Sequence, residues 1–335
     1  MTRYSRQTRF RPIGEAGQAR FATAKVLIIG MGALGTASAE QLVRAGVGVV
    51  RIVDRDYVEW SNLQRQQLYT EDDARHSIPK AIAAKARLEA INSTVTIEAH
   101  VLDVDRAALT WLLDDIDLII DATDHFDIRL LMNDMALLRS IPWIYGGCVG
   151  SYGITFTVRP GETPCLHCLL DQLPRDQETC DTAGIIGPAV QMVASLQVTE
   201  ALKWLSGKTD ALRTRLLAFD VWSNTFQQIN VQSLKQTECP SCGIEPSYPY
   251  LSNQTVRFTA LCGRDAVQIR GDGQRDLEQL KQRLQPVASI SAHNPYLLAF
   301  TTDEHRMVAF RDGRVLIHGE ADLVKAKRLY HAYFG

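Results

Sequence analysis

The sequence predicts an α/β fold with a doubly wound, mostly parallel sheet, extended by antiparallel strands and followed by a small α+β domain. Three observations support this prediction. The β-branched run KVLIIG opens directly into a glycine-rich turn and a helical pattern, and strand and helix patterns then alternate up to residue 150. Beyond residue 150 the strand patterns alternate in polarity instead, which is typical of antiparallel strands with one solvated face.

The first part of the chain is organised as strand–helix units. A buried strand starts at Lys25 and the helical pattern TASAEQLVRAG follows it. The further strand patterns are VVRIVD, residues 95–99, DLIIDAT and PWIYGGCVG, and the further helical patterns cover 79–91, 106–113 and a stretch ending at Arg139. This alternation predicts helices on both faces of the sheet.

The later part of the chain begins with the strand pattern ITFTV and a polar loop at about 171–182. A helix with Pro188 in its first turn and Gly207 at its end follows, and then a hairpin over 213–231. The segment CPSCGIEPSYPY predicts a domain boundary, which gives domains 1–246 and 247–335. The second domain is expected to contain a helix at DLEQLKQRL, three short strands between 287 and 318, and a final helix over 320–334.

The composition excludes several classes of protein. The 335 residues include 36 Lys and Arg against 38 Asp and Glu, and 46% are hydrophobic, which favours a globular protein with a large core. A net charge of -2 with no basic stripe argues against a nucleic-acid partner. The longest apolar stretches contain Gln, Glu and Lys, and no apolar segment follows the early arginines, so we expect a cytoplasmic protein with no membrane partner.

The glycine-rich turn carries the first chemical signal. Gly30, Gly32 and Gly35 form a G-x-G-x-x-G between a strand and a helix, and Asp54 ends the next strand. Such glycines let a pyrophosphate approach the helix N-terminus, while a carboxylate at Asp54 binds ribose hydroxyls, as in a Rossmann-like fold. The motif alone fits NAD, FAD or ATP, and the alternative is that the glycines serve only tight packing.

The segment after Asp54 departs from a dehydrogenase. It contains Asn62 and Arg65, with Lys80 a short way on, and these groups suit a triphosphate rather than NAD. Asp124 follows a strand at the usual ligand edge of such a sheet and is a candidate Mg²⁺ ligand. The alternatives are a solvated face for Arg65 and Lys80 and a helix N-cap for Asp124.

Four of the seven cysteines form two C-x-x-C pairs. Cys165 with Cys168 and Cys239 with Cys242 supply four thiolates, which can close a tetrahedral structural zinc site with no open position for catalysis. The alternative is two unrelated reduced pairs. Cys148 is interpreted as a small core residue and Cys262 as either a core residue or a sulfur relay.

These motifs together resemble the ThiF/MoeB family, the bacterial relatives of ubiquitin-activating enzymes. The resemblance covers about residues 3–246 and rests on RYSRQ, GMGALG, Asp54, SNLQRQ, PKA, DATDHFDIR and both cysteine pairs in order. The TCDTAG loop, YGGCVGSYG and the C-terminal domain look most like the ThiF type of bacilli. This resemblance implies adenylation of a small ubiquitin-like sulfur carrier protein, ThiS, with pyrophosphate as the second product.

The resemblance also implies roles for individual residues. It implies ATP binding by the backbone at Gly32 and Ala33, ribose contacts from Asp54, Mg²⁺ at Asp124, structural zinc, and a homodimer in which Arg6 reaches the partner's site. The full set of implied nucleotide contacts adds Gly30, Gly35, Ser61, Asn62, Arg65, Gln66, Lys80 and His125. At His125 the family usually has Asn, so an imidazole N–H replaces the amide donor.

Sulfur transfer is the second step that the resemblance implies. Cys180, in a polar loop before a helix, matches a family cysteine that can link covalently to the carrier. The alternative is direct delivery from an external persulfide, such as that of a cysteine desulfurase. The rival functions are the same chemistry on the molybdopterin sulfur carrier (the MoeB role), a nicotinamide-dependent oxidoreductase, an ATP-binding sensor, and cyclisation of a tRNA adenosine.

Overall fold

A computed structural model describes residues 3–170, 183–252, 258–260, 266–271, 273–302 and 304–334. The chain divides into two compact units, one formed by residues 1–71 and 79–253 and the other by residues 72–78 and 254–335. No helix among these residues is both long enough and apolar enough to cross a lipid bilayer.

The first unit is built on an eight-stranded sheet with the order β3-β2-β1-β4-β5-β6-β7-β8. The strands are β1 (Lys25–Ile29), β2 (Val49–Asp54), β3 (Thr96–Val101), β4 (Leu118–Asp121), β5 (Trp143–Val149), β6 (Tyr152–Val158), β7 (Leu216–Asp220) and β8 (Thr225–Ile229). The first five pair in parallel and the last three are antiparallel, so the predicted α/β fold class is confirmed.

Register in the centre of this sheet follows from burial. Ile28 of β1 pairs with Ile52 of β2 on one side and with Ile120 of β4 on the other, and all three are fully buried. A strand covered by helices on both faces needs apolar residues at consecutive positions, which is why KVLII has no polar alternation. At the opposite end, every residue of β8 is exposed, and it lies at the edge of the sheet.

The helices of the first unit connect these strands. They are α1 (Ser5–Thr8), α2 (Gly14–Thr23), α3 (Ala33–Ala45), α4 (Glu71–Arg75, shared with the second unit), α5 (Lys80–Ile91), α6 (Arg106–Leu112), α7 (Phe126–Leu138), α8 (Leu166–Leu169) and α9 (Gly187–Leu205). α3 ends at Gly46, whose φ of +86° is the left-handed conformation that glycine adopts without strain. α9 has Pro188 in its first turn and packs on α3, β5 and β6.

The strand order reverses between β1 and β4, because β2 and β3 lie on one side of β1 while β4 and β5 lie on the other. In sheets of this kind the crevice outside the carboxyl ends of the strands at the reversal is where ligands bind. The loops after β1, β2 and β4 therefore define the region in which to look for a site.

The second unit is a six-stranded antiparallel sheet with the order β11-β12-β13-β14-β10-β9 and two helices. Its elements are β9 (Phe258–Ala260), β10 (Ala266–Ile269), α10 (Leu277–Leu284), β11 (Ser289–His293), β12 (Leu297–Thr301), β13 (Arg306–Phe310), β14 (Val315–His318) and α11 (Leu323–Phe334). Four strands lie between residues 287 and 318, so the expectation of three is wrong. The strand β11 is an edge strand of alternating exposure. Its sequence contains few apolar residues, so the strand pattern is weak.

Candidate functional site

The glycine loop after β1 is shaped by close backbone contacts. Gly30 has φ +93°, and a Cβ there would lie 2.5 Å from the carbonyl oxygen of Ala122. A Cβ at Gly35 would lie 1.9 Å from the carbonyl oxygen of Gly30, so both glycines are required by the turn itself. At Gly32, where α3 begins, the nearest atom to a Cβ is Gln66 Nε2 at 3.9 Å. Packing does not require glycine at this position, and its lack of a side chain leaves room for a ligand at the helix N-terminus.

Asp54 joins this loop to the end of β2. Its Oδ2 accepts a hydrogen bond from the backbone N–H of Met31 at 2.6 Å, and its Oδ1 accepts one from the N–H of Asp56 at 2.6 Å. Burial raises the pKa of Asp54, while the nearby ammonium of Lys80 and these two N–H donors oppose the rise. The carboxylate is thus fixed beside the glycine loop, in the position that binds ribose hydroxyls in sheets of this type.

The segment 60–66 forms one wall of the crevice. Asn62 ends a short 3-10 helix, and its Oδ1 accepts a hydrogen bond from the N–H of Glu59, so part of its side chain holds the backbone. Arg65 is half-buried and donates from Nη1 to the carbonyl of the exposed Ser61 at 2.8 Å. Gln66 is buried, and its Oε1 has no hydrogen-bond partner among the residues that the structure describes. Such an orphaned acceptor beside Gly32 indicates a place for a ligand donor or water.

Lys80 is not part of a solvated face. Only 4% of the residue is exposed, and its Nζ lies 3.4 Å from Oδ2 of Asp56. Its backbone N–H donates to the carbonyl of Asp56, which fixes the start of α5 against the end of β2. A buried ammonium requires a partner, so this cation is held at the carboxyl edge of the sheet.

Asp124 and His125 follow β4. The Asp124 side chain is 71% exposed, and the N-cap position of α7 belongs to His125, so Asp124 does not cap this helix. Arg55 donates from Nη2 to Nε2 of His125 at 2.7 Å, and Oδ1 of Asp124 lies 3.5 Å from the same nitrogen. Because a guanidinium only donates, Nε2 of His125 is the acceptor in this hydrogen bond. Sequence reasoning missed Arg55, and its one signal was its place directly after Asp54.

A buried ion pair supports the loop after β4. Arg129 of α7 donates from Nε to Oδ2 of Asp121 at 2.9 Å, and from Nη2 to the carbonyls of Thr123 and Gly146. Burial raises the pKa of Asp121, and the guanidinium of Arg129 opposes that rise. Breaking such a pair leaves an uncompensated buried charge, so the pair fixes the backbone that presents Asp124. Sequence reasoning also missed this pair, although both residues lie in DATDHFDIR, because the motif does not show that they contact each other.

Two expected residues stand apart from this arrangement. Arg6 lies exposed in α1, and among the described residues no hydrogen bond joins its side chain to the crevice. Cys180 lies outside the described residues, as does Cys262. Cys148 is partly buried against the core cluster around Phe219.

The four cysteines of the C-x-x-C pairs form one cluster. Their sulfur atoms all lie within 4.8 Å of one another, with Sγ–Sγ distances of 3.9 Å for Cys165–Cys168, 3.8 Å for Cys165–Cys239 and 3.5 Å for Cys168–Cys242. Four sulfurs around a zinc ion at 2.3 Å stand about 3.8 Å apart, so the cluster has the size of a tetrahedral zinc site. Hydrogen bonding between the two thiols raises the pKa of Cys165 and lowers that of Cys168.

Helix α7 also anchors the cysteine cluster. Asn133 accepts a hydrogen bond from the N–H of Leu166, between the first two cysteines, and Asp134 accepts one from the N–H of Tyr250. His167 lies 3.0 Å from Ser241 through Nδ1, and the four-sulfur group does not include it. One helix therefore connects the cluster to the loop that carries Asp124.

Comparison with known proteins gives this arrangement a context. A family model described as the ThiF family matches residues 4–241. The sulfur carrier protein ThiS adenylyltransferase of Bacillus subtilis is 54% identical to the chain, over 99% of both proteins. A sulfur carrier protein adenylyltransferase of Thermus thermophilus is 36% identical over 78% of this chain and 97% of its own length.

Solved structures show a similar fold at lower identity. A crystal structure of MccB from E. coli with ATP has a TM-score of 0.62 and 22% sequence identity, and the match covers 72% of this chain and 75% of that one. At this identity the likeness concerns the fold alone.

Proposed function

From the premise that the chain belongs to the ThiF family of adenylyltransferases, we propose that it adenylates the C-terminal glycine carboxylate of the ubiquitin-like sulfur carrier ThiS. The observation that carries this proposal is the 54% identity, over 99% of both chains, to a protein named ThiS adenylyltransferase. This step would activate the carrier for sulfur transfer in the synthesis of the thiamine thiazole.

The crevice supports the ATP part of the proposal. The N–H groups at Gly32 and Ala33, at the start of α3, would bind phosphate oxygens, and Asp54 would accept the ribose hydroxyls. Asn62, Arg65 and Lys80 would contact the phosphates. The buried Lys80 is well suited to this, because its ammonium already stands at the end of β2, where it offsets phosphate charge without being drawn from water.

Asp124 is the proposed ligand of Mg²⁺. Its carboxylate is exposed at the carboxyl end of β4, and Mg²⁺ prefers one or two carboxylates together with phosphate oxygens. When bound there, Mg²⁺ supplies charge neutralisation on the phosphates. The protein's part is to hold Asp124 in place, through the Arg129–Asp121 pair below the loop.

In the proposed reaction a carboxylate oxygen of the carrier attacks the α-phosphorus of ATP. The bond between the α-phosphorus and the bridging oxygen breaks, and pyrophosphate leaves with the electron pair. The carrier keeps the adenylate as a mixed anhydride. The protein contributes positioning and charge compensation, since no protein nucleophile is needed for this step.

We further propose that the terminal sulfur of a persulfide donor, such as that of a cysteine desulfurase, attacks the acyl carbon of the adenylate, either directly or after transfer to Cys180, and that AMP leaves. A thiol then reduces the resulting acyl disulfide to the thiocarboxylate. Arg6 is proposed to enter the site of the partner in a homodimer, which is consistent with its exposure in α1. The four-cysteine cluster would hold a structural zinc ion with no open coordination position.

We propose residues 1–246 as the catalytic domain and 247–335 as a second domain, the role of which the proposed reaction leaves open. The compact units of the structure divide at residues 253 and 254, with residues 72–78 joining the second unit. The cytoplasm is the proposed compartment, because thiols that bind a metal need reducing surroundings.

The experiment is pyrophosphate release from ATP and Mg²⁺ in the presence of purified carriers. The two carriers are a ThiS-like and a MoaD-like protein, each ending in Gly-Gly, and the control is each carrier without its last glycine. We expect release with the ThiS-like carrier only, and none with the shortened form. Release with the MoaD-like carrier alone would assign the chain to molybdopterin synthesis, and release with neither would overturn the proposal.

A further inference from the structure

Arg55 bridges three loops at the carboxyl edge of the first sheet. It directly follows Asp54 at the end of β2. Its Nη1 donates to Oδ1 of Asp103, after β3, at 3.3 Å, and its Nη2 donates to Nε2 of His125, after β4, at 2.7 Å. With hydrogen bonds at both ends, the plane of the guanidinium is fixed relative to the sheet.

The guanidinium also stays charged. Its side chain is 21% exposed, and burial by itself would lower the pKa of Arg55. The surrounding carboxylates of Asp56, Asp103, Asp124 and Asp54 reverse this effect, so the pKa of Arg55 is raised. The result is a planar cation held in a mostly desolvated place beside the proposed ribose ligand.

The expected direction of the nucleotide brings its base toward this cation. The proposed phosphate contacts lie at the glycine loop and Lys80, and the proposed ribose contact is Asp54. The base leaves the ribose on the side away from the phosphates, and the residue next to Asp54 on that route is Arg55. A guanidinium whose hydrogen bonds lie in its plane can stack its face on an aromatic ring.

We propose that Arg55 is the adenine platform of this site, and that Asp103 and His125 are positioning residues that hold its guanidinium parallel to the purine ring. The inference rests on the proposed ATP-dependent function and adds a residue that determines base specificity. A purine covers more of a guanidinium face than a pyrimidine does, so the platform favours ATP over CTP. Hydrogen bonding to the base edge is not required of Arg55.

The test is equilibrium binding of ATP and of CTP to the full chain by calorimetry, with Mg²⁺ and without carrier. In Arg55→Lys, which keeps the charge but loses the plane, we expect Kd for ATP to rise about tenfold, because an ammonium cannot stack flat on the purine, while Kd for CTP changes little. In Asp103→Asn we expect a smaller loss of the ATP preference. In turnover assays Arg55→Lys should raise KM for ATP and leave kcat unchanged.

Arg51→Lys is the matched control. Arg51 lies on β2, the strand that Arg55 follows, and also bridges elements, with Nε to Oε2 of Glu98 at 2.6 Å and Nη1 to the carbonyl of Leu112 at 2.7 Å. We expect it to keep the wild-type ratio of the two Kd values. An Arg55→Lys protein that keeps this ratio, or loses both nucleotides equally, overturns the platform while pyrophosphate release by the wild type stands. A wild type that binds no ATP overturns the function as well.

Discussion

The two units of this protein have similar cores and very different edges. Both bury their central strands, as Ile28 and Ile52 show in the first unit and Val267 and Ile317 in the second. The first sheet is parallel through β5, so the loops after β1, β2 and β4 leave the same edge. The second sheet is antiparallel, and its strand ends alternate between two edges. Parallel order concentrates chemical groups at one edge, and antiparallel order disperses them.

The contrast extends to charge. In the first unit the charged groups lie at a single edge of the sheet. Asp54 and Lys80 come after β2, and Asp124 comes after β4. In the second unit a cavity of about 600 Å³ is lined by two arginines, Arg275 and Arg311, and by two acids, Asp276 and Glu278. The charges of that lining compensate one another, and Asp276 is used to cap α10. The chemistry expected of the protein is therefore carried by the first unit.

The largest expected effect follows from loss of the cysteine cluster, which would show that the first unit depends on a bound metal for its stability. Cys168→Ser should lose bound zinc and lower the free energy of unfolding by about 5 kcal/mol, because three ligands no longer close the tetrahedron. Zinc content by mass spectrometry and unfolding in denaturant measure this. Cys148→Ser, outside the cluster, should keep its zinc. A Cys168→Ser protein with full stability would refute a structural metal.

The next prediction compares substitutions at the two edges of the parallel sheet. Asp124→Ala should lower pyrophosphate release about a thousandfold, with no change in the unfolding temperature, because the exposed carboxylate supports charge compensation but not the fold. Asp114→Ala is the control, since Asp114 is exposed in the loop before β4 and pairs with Arg139 at 3.9 Å. Equal losses in both variants would contradict the assignment of function to the carboxyl edge.

A core substitution in the second unit is expected to act on stability alone. Leu298→Ala removes a fully buried side chain of β12 and should lower the stability of that unit by about 3 kcal/mol. Pyrophosphate release, measured well below the unfolding temperature, should be unchanged. Leu323→Ala, at an exposed position of α11, should change neither quantity. Loss of activity in Leu298→Ala would show that the second unit takes part in the reaction.

The smallest effect is a pH-dependent contribution from Asp220 at the end of β7. Hydrogen bonds from the N–H of Ser223 and the hydroxyl of Ser151, among others, lower the pKa of Asp220 below its ordinary value. A lowered folded-state pKa gives stability that is present above about pH 4 and is lost as pH falls through the folded value. Asp220→Asn should therefore melt slightly below the wild type at pH 7, and the difference should vanish in acid. A difference that persists in acid would assign the effect to packing.

The elements of the parallel sheet could be predicted because their signals are local. The run KVLII is recognisable as a buried strand from its own residues. The structure confirms that β1 begins at Lys25 and that β2 ends at Asp54. The site residues of the glycine loop and of 61–66 could be proposed from spacing for the same reason. The roles assigned to them remain predictions for the experiments above.

The remaining features depend on pairs that are far apart in the chain. Arg55 meets His125 across 70 residues, and neither residue type has a pattern that predicts the contact. The Arg129–Asp121 pair is close in sequence, but Arg129 also donates to the carbonyl of Gly146 on a later strand. Polar contacts of this kind follow from the assembled sheet, whereas apolar periodicity follows from each strand alone.

The open edge at β8 has a practical consequence for handling the protein. Among the described residues, β8 pairs only with β7, and its outward side chains include Phe226, with Trp222 exposed in the turn before it. An exposed strand with an aromatic residue and no lysine is a template for pairing with other chains. Concentrated solutions of the purified protein should therefore self-associate through Thr225–Ile229. A Gln227→Lys substitution, which places a charge in the middle of that strand, should improve solubility and aid crystallisation.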